Sequence, residues 1–159
     1  MDGTTDARTL DDLVAEGDVV MLTTAADGML ARPITVIRHE GDQVSFLVSG
    51  SSGWVRMLED SAVEPVVGVS FADPDDTRYV AMRARARVTH DRARIEELWS
   101  PVAKAFFDGP DDPDLRALEL EVDAGEWWDG PSTGVGRLVS LVKAAVTGDE
   151  PGNSGSVEV

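Results

Sequence analysis

The strongest constraint on the fold is a succession of short β-branched runs separated by tight-turn residues. Turn signals stand at Asp27-Gly28, at Glu40-Gly41-Asp42 and at residues 73–76, where the sequence is Asp-Pro-Asp-Asp. Glycine supplies the positive φ that such turns need, while Asp and Pro favour their other positions. Connections this short predict neighbouring antiparallel strands and disfavour a doubly wound sheet, whose parallel strands need long helical crossovers.

Short helix signals lie between these runs. Helices are expected after Thr9, after the loop Ser49–Gly53 and after Asp91, and Pro101 is expected to restart or kink the third. The chain is therefore predicted to be mainly β with short helices (α+β), folded as a six-stranded antiparallel barrel of the Greek-key type, closed or partly closed. The expected strands are Val19–Thr24, 29–37, Val44–Val48, Val63–Phe71, Arg78–Thr89 and Leu115–Trp128.

The length of 159 residues fits one domain, which is expected to span residues 1–148. Apolar residues on one face predict a C-terminal helix within it; they are Leu138, Leu141, Val142 and Ala145. Residues 149–159 carry few apolar side chains, so a disordered tail is expected there.

Composition excludes several classes of function. The chain has no cysteine, so it has no disulfide, no thiolate nucleophile and no cysteine-ligated metal. Its 30 acidic and 14 basic residues give a net charge of −16, which disfavours nucleic acid and anionic membranes as partners. There is no long apolar run, and the N-terminus is acidic, so a cytoplasmic protein is expected.

Three weaker patterns do not support chemistry. Gly134-x-Gly136 lacks the third small residue of a dinucleotide fingerprint, because Val139 stands there. The acidic loop 108–114 contains two prolines, which spoil the spacing of a calcium loop and favour a solvated turn. His39 and His90 lie in no metal or nucleophile motif. No catalytic residue and no metal site is therefore predicted.

The residues alone offer four candidate features. In the loop Ser49–Gly53, hydroxyls and free N–H groups could bind a phosphate, although an ordinary turn is the favoured interpretation. Arg32-Pro33 lies within a strand, so the proline is expected at an edge or bulge. Alternating arginines at 83, 85 and 87 share one face and are expected to pair with carboxylates. Trp127-Trp128 should point to opposite sides, one into the core.

The order of the segments resembles the general-stress-protein branch of the pyridoxamine 5'-phosphate oxidase-like family of flavin-binding split barrels. The similarity covers roughly residues 9–148. The residues that carry it are Met21-Leu22-Thr23-Thr24, Asp27-Gly28, Ala31-Arg32-Pro33-Ile34, Tyr79-Val80, Ala86-Arg87-Val88, Asp91-Arg92, Leu98-Trp99, Pro101, Lys104-Ala105-Phe106-Phe107, the stretch Gly109 to Leu115, and Trp128-Asp129.

The resemblance implies a split barrel that works as a homodimer, with FMN bound between the subunits. It implies an FMN-dependent oxidoreductase or a stress-related flavin carrier, in which the flavin supplies the electron chemistry. Arg32 and its neighbours would line the isoalloxazine ring, Ser49 and Ser52 would lie by the phosphate, and Trp128 would reach in from the second subunit. The cofactor-binding residues expected on this basis are Arg32, Pro33, Ile34, Val48, Ser49, Ser52, Trp54, Arg56 and Trp128.

The sequence departs from the family pattern where a lysine usually holds the phosphate. Trp54 takes the place of that lysine, and Val48 stands where threonine is common. Loss of an ammonium contact weakens phosphate binding by roughly 1.5–3 kcal/mol, so weak or absent FMN binding is expected, with Arg56 as a partial substitute. Two alternatives stay open: a non-enzymatic dimer that has lost flavin, and a barrel adapted to a deazaflavin or haem.

Overall fold

The computed structural model describes residues 8–130, 145–146 and 153–159. Within these residues the chain forms nine strands and four short helices. The strands are β1 Arg8–Thr9, β2 Val19–Thr24, β3 Leu30–Thr35, β4 Arg38–Glu40, β5 Gln43–Ser49, β6 Val66–Asp73, β7 Arg78–Thr89, β8 Leu115–Asp129 and β9 Asn153–Glu158. The helices are α1 Leu10–Leu13, α2 Gly53–Glu59, α3 Arg92–Leu98 and α4 Pro101–Lys104.

The strands form a curled sheet, a half-barrel of the split-barrel type. Hydrogen-bonded neighbours run in the order β3-β2-β6-β7-β8-β5-β4, and every pair in this path is antiparallel. Strands β3 and β4 stand at opposite ends of the path, yet only Val36 and Ile37 separate them in the chain. The sheet must therefore curl until its two ends meet. Both linking residues are buried at that junction.

Six strands correspond to the six predicted from the sequence and confirm the mainly β prediction; they are β2, β3, β5, β6, β7 and β8. Strands β1, β4 and β9 were not predicted. Strand β8 is 15 residues long and changes partner along one edge. Its first half pairs with β5 and its last four residues pair with β9, while β7 follows the other edge. A register shift between Arg83 and Ala84 of β7 accompanies this change.

Alternation along β7 places its apolar residues in the barrel core. Val80, Met82, Ala84 and Ala86 are buried, and the intervening arginines share one face, as predicted, which is the exposed one. Asp123 accepts from Arg83 at 2.7 Å and lies 3.9 Å from Arg85, so part of the expected pairing with carboxylates is confirmed.

A second, smaller core lies on the outer face of β5 and β8. Helices α3 and α4 cover that face, which explains why β5 is buried over five consecutive residues and does not alternate. The predicted caps are present: Thr9 forms a capping box with Asp12, and Asp91 accepts from the N–H of Ala93 at 3.0 Å. Pro101 begins α4, as expected. No helix of the described segments is long and apolar enough to cross a membrane.

The C-terminal end differs from the expected disordered tail. Residues 153–158 form β9, which pairs with the last part of β8 and in parallel with β1. Val157 is buried in the main core, because the open edge of β8 offers both hydrogen-bonding partners and an apolar surface. The predicted C-terminal helix lies outside the described residues except for Ala145, and residues 147–152 also lie outside them.

Candidate functional site

A cavity of about 220 Å³ lies between β3, the end of β5 and the start of α2, and its lining is mostly apolar. Strand β3 forms one wall, and the end of β5 with the start of α2 forms another. Two phenylalanines that follow α4 contribute from the side. The lining residues are Pro33, Ile34, Thr35, Ile37, Leu47, Val48, Ser49, Trp54, Phe106 and Phe107.

Five of the nine predicted binding residues line this cavity: Pro33, Ile34, Val48, Ser49 and Trp54. Arg32 lies on β3 and Arg56 on α2, which both contribute to the lining, and Ser52 is the N-cap residue of α2. Proline is tolerated within β3 because that strand pairs only with β2 in the described residues, so the expectation of an edge position is confirmed.

The side chain of Arg32 is held by three neighbours. Its guanidinium lies over the Trp54 ring, 4.7 Å from the ring centroid. It also forms an ion pair with Asp27 and donates to the Thr24 hydroxyl at 3.0 Å. The Thr24 hydroxyl, followed by Arg32, holds the pKa of the Asp27 carboxyl below its usual range. Arg32 is therefore already neutralised by a carboxylate of its own chain.

The serine loop after β5 is held by a carboxylate that sequence reasoning did not single out. Asp114 accepts a hydrogen bond from the Ser49 hydroxyl and another from the Ser51 hydroxyl at 3.2 Å. The two hydroxyl oxygens lie 2.7 Å apart. The Ser49 hydrogen bond is the main cause that holds the pKa of Asp114 below its usual range. A negative charge therefore lies at the serine end of the cavity.

Backbone contacts fix the same loop against the segment before β8. The N–H of Gly50 donates to the Asp114 carbonyl at 2.7 Å. A β-carbon at Gly50 would lie 2.9 Å from Cζ of Arg116 and 3.0 Å from that carbonyl. Only glycine permits this approach without displacement of its neighbours.

Ser52 and Arg56 are placed differently from Ser49. The N–H of Ser52 donates to the Ser49 carbonyl at 3.2 Å, and Ser52 is the N-cap residue of α2. Arg56 uses Nε to donate to the Gly50 carbonyl at 3.2 Å. Its terminal guanidinium nitrogens form no hydrogen bond or ion pair with the residues that the structure describes.

The last predicted residue, Trp128, does not line the cavity of its own chain. It lies on β8 opposite Tyr79 and Ser154, and 36% of its surface is exposed. Trp127 points the other way into the core, as predicted, with the Arg8 guanidinium 4.0 Å from its ring centroid.

A search of curated protein sequences gives no match for this chain. The family model for pyridoxamine 5'-phosphate oxidase-like proteins, in contrast, matches residues 5–152. The chain belongs to this family. Its fold can therefore be compared with solved structures of general stress proteins.

Solved structures agree with the family assignment. A general stress protein 26 from Jannaschia sp. CCS1 is 22% identical, with a TM-score of 0.66 over 98% of this chain and 92% of that one. A general stress family protein from Xanthomonas campestris is 28% identical, with a TM-score of 0.62 over 74% and 81%. A general stress FMN/FAD binding protein from Xanthomonas citri is 26% identical, with a TM-score of 0.63 over 74% and 83%.

Several site residues of this family member were missed by sequence reasoning. Phe106 and Phe107 contributed to the resemblance but were not predicted to line the cavity. Asp114 belongs to the acidic loop interpreted as a solvated turn. That loop is ordered, because Arg92 donates to the Asp112 and Pro110 carbonyls and Asp112 accepts from the Asp114 N–H at 2.9 Å. The loop has four carboxylates, and the sequence gave no signal to distinguish the one that would face the serine loop; they are those of Asp108, Asp111, Asp112 and Asp114.

Proposed function

We propose that this chain is a flavin-binding split-barrel protein that binds an isoalloxazine ring in the cavity. The observation that carries the proposal is the mostly apolar slot bounded by Pro33 and Ile34, by Trp54 and by the two phenylalanines. A flat aromatic ring is the type of ligand that such walls bury most effectively. The relationship to the FMN/FAD binding protein of Xanthomonas citri supports the same cofactor class.

The described residues fit the ring better than they fit a phosphate. Proline, isoleucine and aromatic side chains supply flat apolar contacts at one end. At the other end the Ser49 and Ser51 hydroxyls donate to Asp114, so FMN, the form that the resemblance implies, would meet a carboxylate there. We therefore assign the ring to the cavity and derive no step from the phosphate.

The proposal includes a homodimer with the ligand between subunits. A cavity of about 220 Å³ is smaller than the roughly 300–1,000 Å³ of typical small-molecule sites, so a second chain is expected to complete it. Beside the exposed arginines at 83 and 85 of β7, the outer face of the adjacent sheet carries a strip of exposed residues without charge, as the core of an interface does. These residues are Val19, Met21, Pro33, Val66, Ser70 and Ala81. Light scattering that finds a monomer at micromolar concentration would contradict this part of the proposal.

An oxidoreductase activity would come from the flavin, which supplies electron transfer when bound. The protein's own residues would bind the ring, orient it and exclude water from one face. The carboxylates nearest the cavity, Asp27 and Asp114, already accept hydrogen bonds from their neighbours. Proton transfer by a side chain is therefore not part of the proposal, and a flavin carrier uses the same residues.

A second candidate is a barrel that has lost flavin, and the position of Trp54 favours it. The indole lines the cavity, packs against the main core and lies beneath Arg32. Its bulk therefore occupies space that a ligand would use. Under this alternative the purified protein is colourless and no flavin reconstitutes it.

The test is a titration of the purified protein with riboflavin and FMN, followed by flavin fluorescence and tryptophan quenching. Saturable binding with one ring per cavity supports the proposal. Thr35→Phe adds bulk to the cavity and should weaken binding, while Leu30→Phe on the same strand changes an exposed residue away from the lining and should not. If neither flavin binds, or if both variants behave alike, the proposed site is wrong.

A further inference from the structure

We propose that Asp114 makes the serine end of the cavity select a ligand tail without a phosphate, so that riboflavin-type ligands bind in preference to FMN. The inference rests on the proposed function, because it concerns the same cavity. It adds the chemistry of the tail, which the family relationship would assign as a phosphate.

Hydrogen-bond direction is the first reason. The hydroxyl of Ser49, a cavity-lining residue, carries one proton and donates it to Asp114. The Ser51 hydroxyl donates to the same carboxylate oxygen at 3.2 Å. A hydroxyl has a single proton, so neither group retains a donor for a phosphate oxygen. The Ser49 hydroxyl lies 2.7 Å from that of Ser51, and it keeps lone-pair capacity that can accept from hydroxyl groups such as those of a ribityl chain.

Charge is the second reason. The Asp114 carboxylate accepts a hydrogen bond from Ser49, which lines the cavity. A phosphate dianion bound at this end of the cavity would therefore be repelled by the carboxylate. The hydrogen bonds from Ser49 and Ser51 stabilise the ionised form, so the carboxylate keeps its charge at neutral pH. The net charge of −16 acts in the same direction on any anionic ligand.

The nearby cations of the described residues offset this charge only in part: Arg116 helps to lower the pKa of Asp114, but by less than the serine hydrogen bonds do. Arg32 is paired with Asp27. Arg116 donates to Glu59 at 3.0 Å and to the Pro113 carbonyl at 3.0 Å. Within the described segments, two of the three arginines around the serine loop are thus committed to groups of their own chain.

Among the residues that the structure describes, Arg56 is the neighbour that could reverse the preference. Its Nε donates to the Gly50 carbonyl, and its side chain is otherwise exposed on α2. A single exposed guanidinium is strongly screened by solvent, so it offsets little of the charge of the Asp114 carboxylate. Repulsion by Asp114 is therefore still expected to exceed attraction by Arg56, which favours a ligand tail without charge.

The experiment compares riboflavin with FMN on the full-length protein and on two single variants. Asp114→Asn removes the charge and keeps an oxygen that accepts from both serines. Asp111→Asn in the same loop is the matched control, because Asp111 is exposed and makes no contact with the serines. Asp114→Ser is a second variant should the asparagine protein be unstable, and thermal unfolding reports whether each variant is folded.

Wild type should bind riboflavin at least as tightly as FMN. Asp114→Asn should improve FMN affinity by roughly tenfold and change riboflavin affinity by less than about threefold, since only FMN carries the repelled charge. Asp111→Asn should leave the ratio of the two affinities unchanged.

Two results would overturn the inference and leave the proposed function intact: a wild-type protein that prefers FMN about tenfold or more, or an Asp114→Asn protein whose affinity ratio equals that of wild type. Failure of riboflavin and FMN to bind wild type or any variant would instead overturn the proposed function, and the inference with it.

Discussion

Arg94 donates from Nε to Glu119 at 2.6 Å and thereby joins helix α3 to strand β8. Only 9% of Glu119 is exposed, and its second oxygen accepts from the Ser45 hydroxyl on β5. The hydrogen bond to Glu119 is the main cause that raises the pKa of Arg94 above its usual range. Glu97 and Arg38 extend the pair toward solvent.

Removal of the arginine should destabilise the fold, because Glu119 would be left buried without its cation. We expect Arg94→Ala to lower the free energy of unfolding by about 2–3 kcal/mol, below the full value for a buried pair since Arg94 is partly exposed. Urea unfolding followed by tryptophan fluorescence measures it. Arg85→Ala, whose nearest carboxylate is 3.9 Å away, should change stability by less than about 0.5 kcal/mol. Equal effects of the two substitutions would contradict the special role of Arg94.

Two glycines of the loop Ser49–Gly53 should respond differently when each is replaced by alanine. Stability should fall at Gly50, and it should stay the same or rise at Gly53. At Gly50 a β-carbon meets Cζ of Arg116 at 2.9 Å and the Asp114 carbonyl at 3.0 Å, so Gly50→Ala should cost about 1–3 kcal/mol. At Gly53 a β-carbon meets nothing within 4 Å, and the residue lies in the first turn of α2. Gly53→Ala should be neutral or stabilise the protein by up to about 1 kcal/mol. Thermal unfolding of both variants checks the difference.

Strand β9 makes the end of the chain part of the fold. Val157 is 6% exposed, and its Cγ2 lies close to Gly125. Val157→Asp would bury an unpaired charge and should lower stability by about 2–4 kcal/mol. Val159→Asp is the control, because Val159 is 56% exposed and should tolerate the change. A Val157→Asp protein with the melting temperature of wild type would show that β9 does not contribute to the core.

The long strands could be predicted because burial follows alternation in the sequence. In β7 every second residue is apolar, and these are the residues that face the core. Strand β9 could not be predicted in this way, since Val157 is its one buried apolar side chain and the signal lies in the unpaired edge of β8. A sequence pattern shows the periodicity of a local segment. It does not show which open strand edge a distant segment will pair with.

The sequence predicted one part of the candidate site and missed another, as it did for the fold. Residues adjacent in sequence, such as Pro33 and Ile34, were placed together by the resemblance, and they line one cavity. Asp114 reaches Ser49 across 65 positions, through the pairing of β5 with β8. That contact depends on the register of β5 against β8, which a single sequence does not reveal. It places a negative charge where a phosphate site would be expected to have a positive one.

The last prediction concerns Trp54, which stands where the family pattern has a lysine. An indole carries one donor and no charge, so it cannot neutralise a phosphate, and its ring lies beneath Arg32. Trp54→Lys should therefore tighten FMN binding by roughly tenfold to a hundredfold relative to riboflavin, because it restores a charge-assisted contact. It should also lower stability, by about 0.5–1 kcal/mol through loss of the cation–π contact and further through loss of the indole's packing against the main core.

Equilibrium titration of both flavins against wild type, Trp54→Lys and Trp54→Phe separates charge from bulk. Trp54→Phe keeps an aromatic ring of smaller size, so a gain that it shares with Trp54→Lys reflects space in the cavity and not the ammonium. If Trp54→Lys binds FMN and riboflavin in the same ratio as wild type, residue 54 does not face the tail of the ligand. The lysine ammonium would then be paired with Asp27 or Asp114. An NMR titration of both carboxyl groups would identify the partner as the one whose pKa shifts.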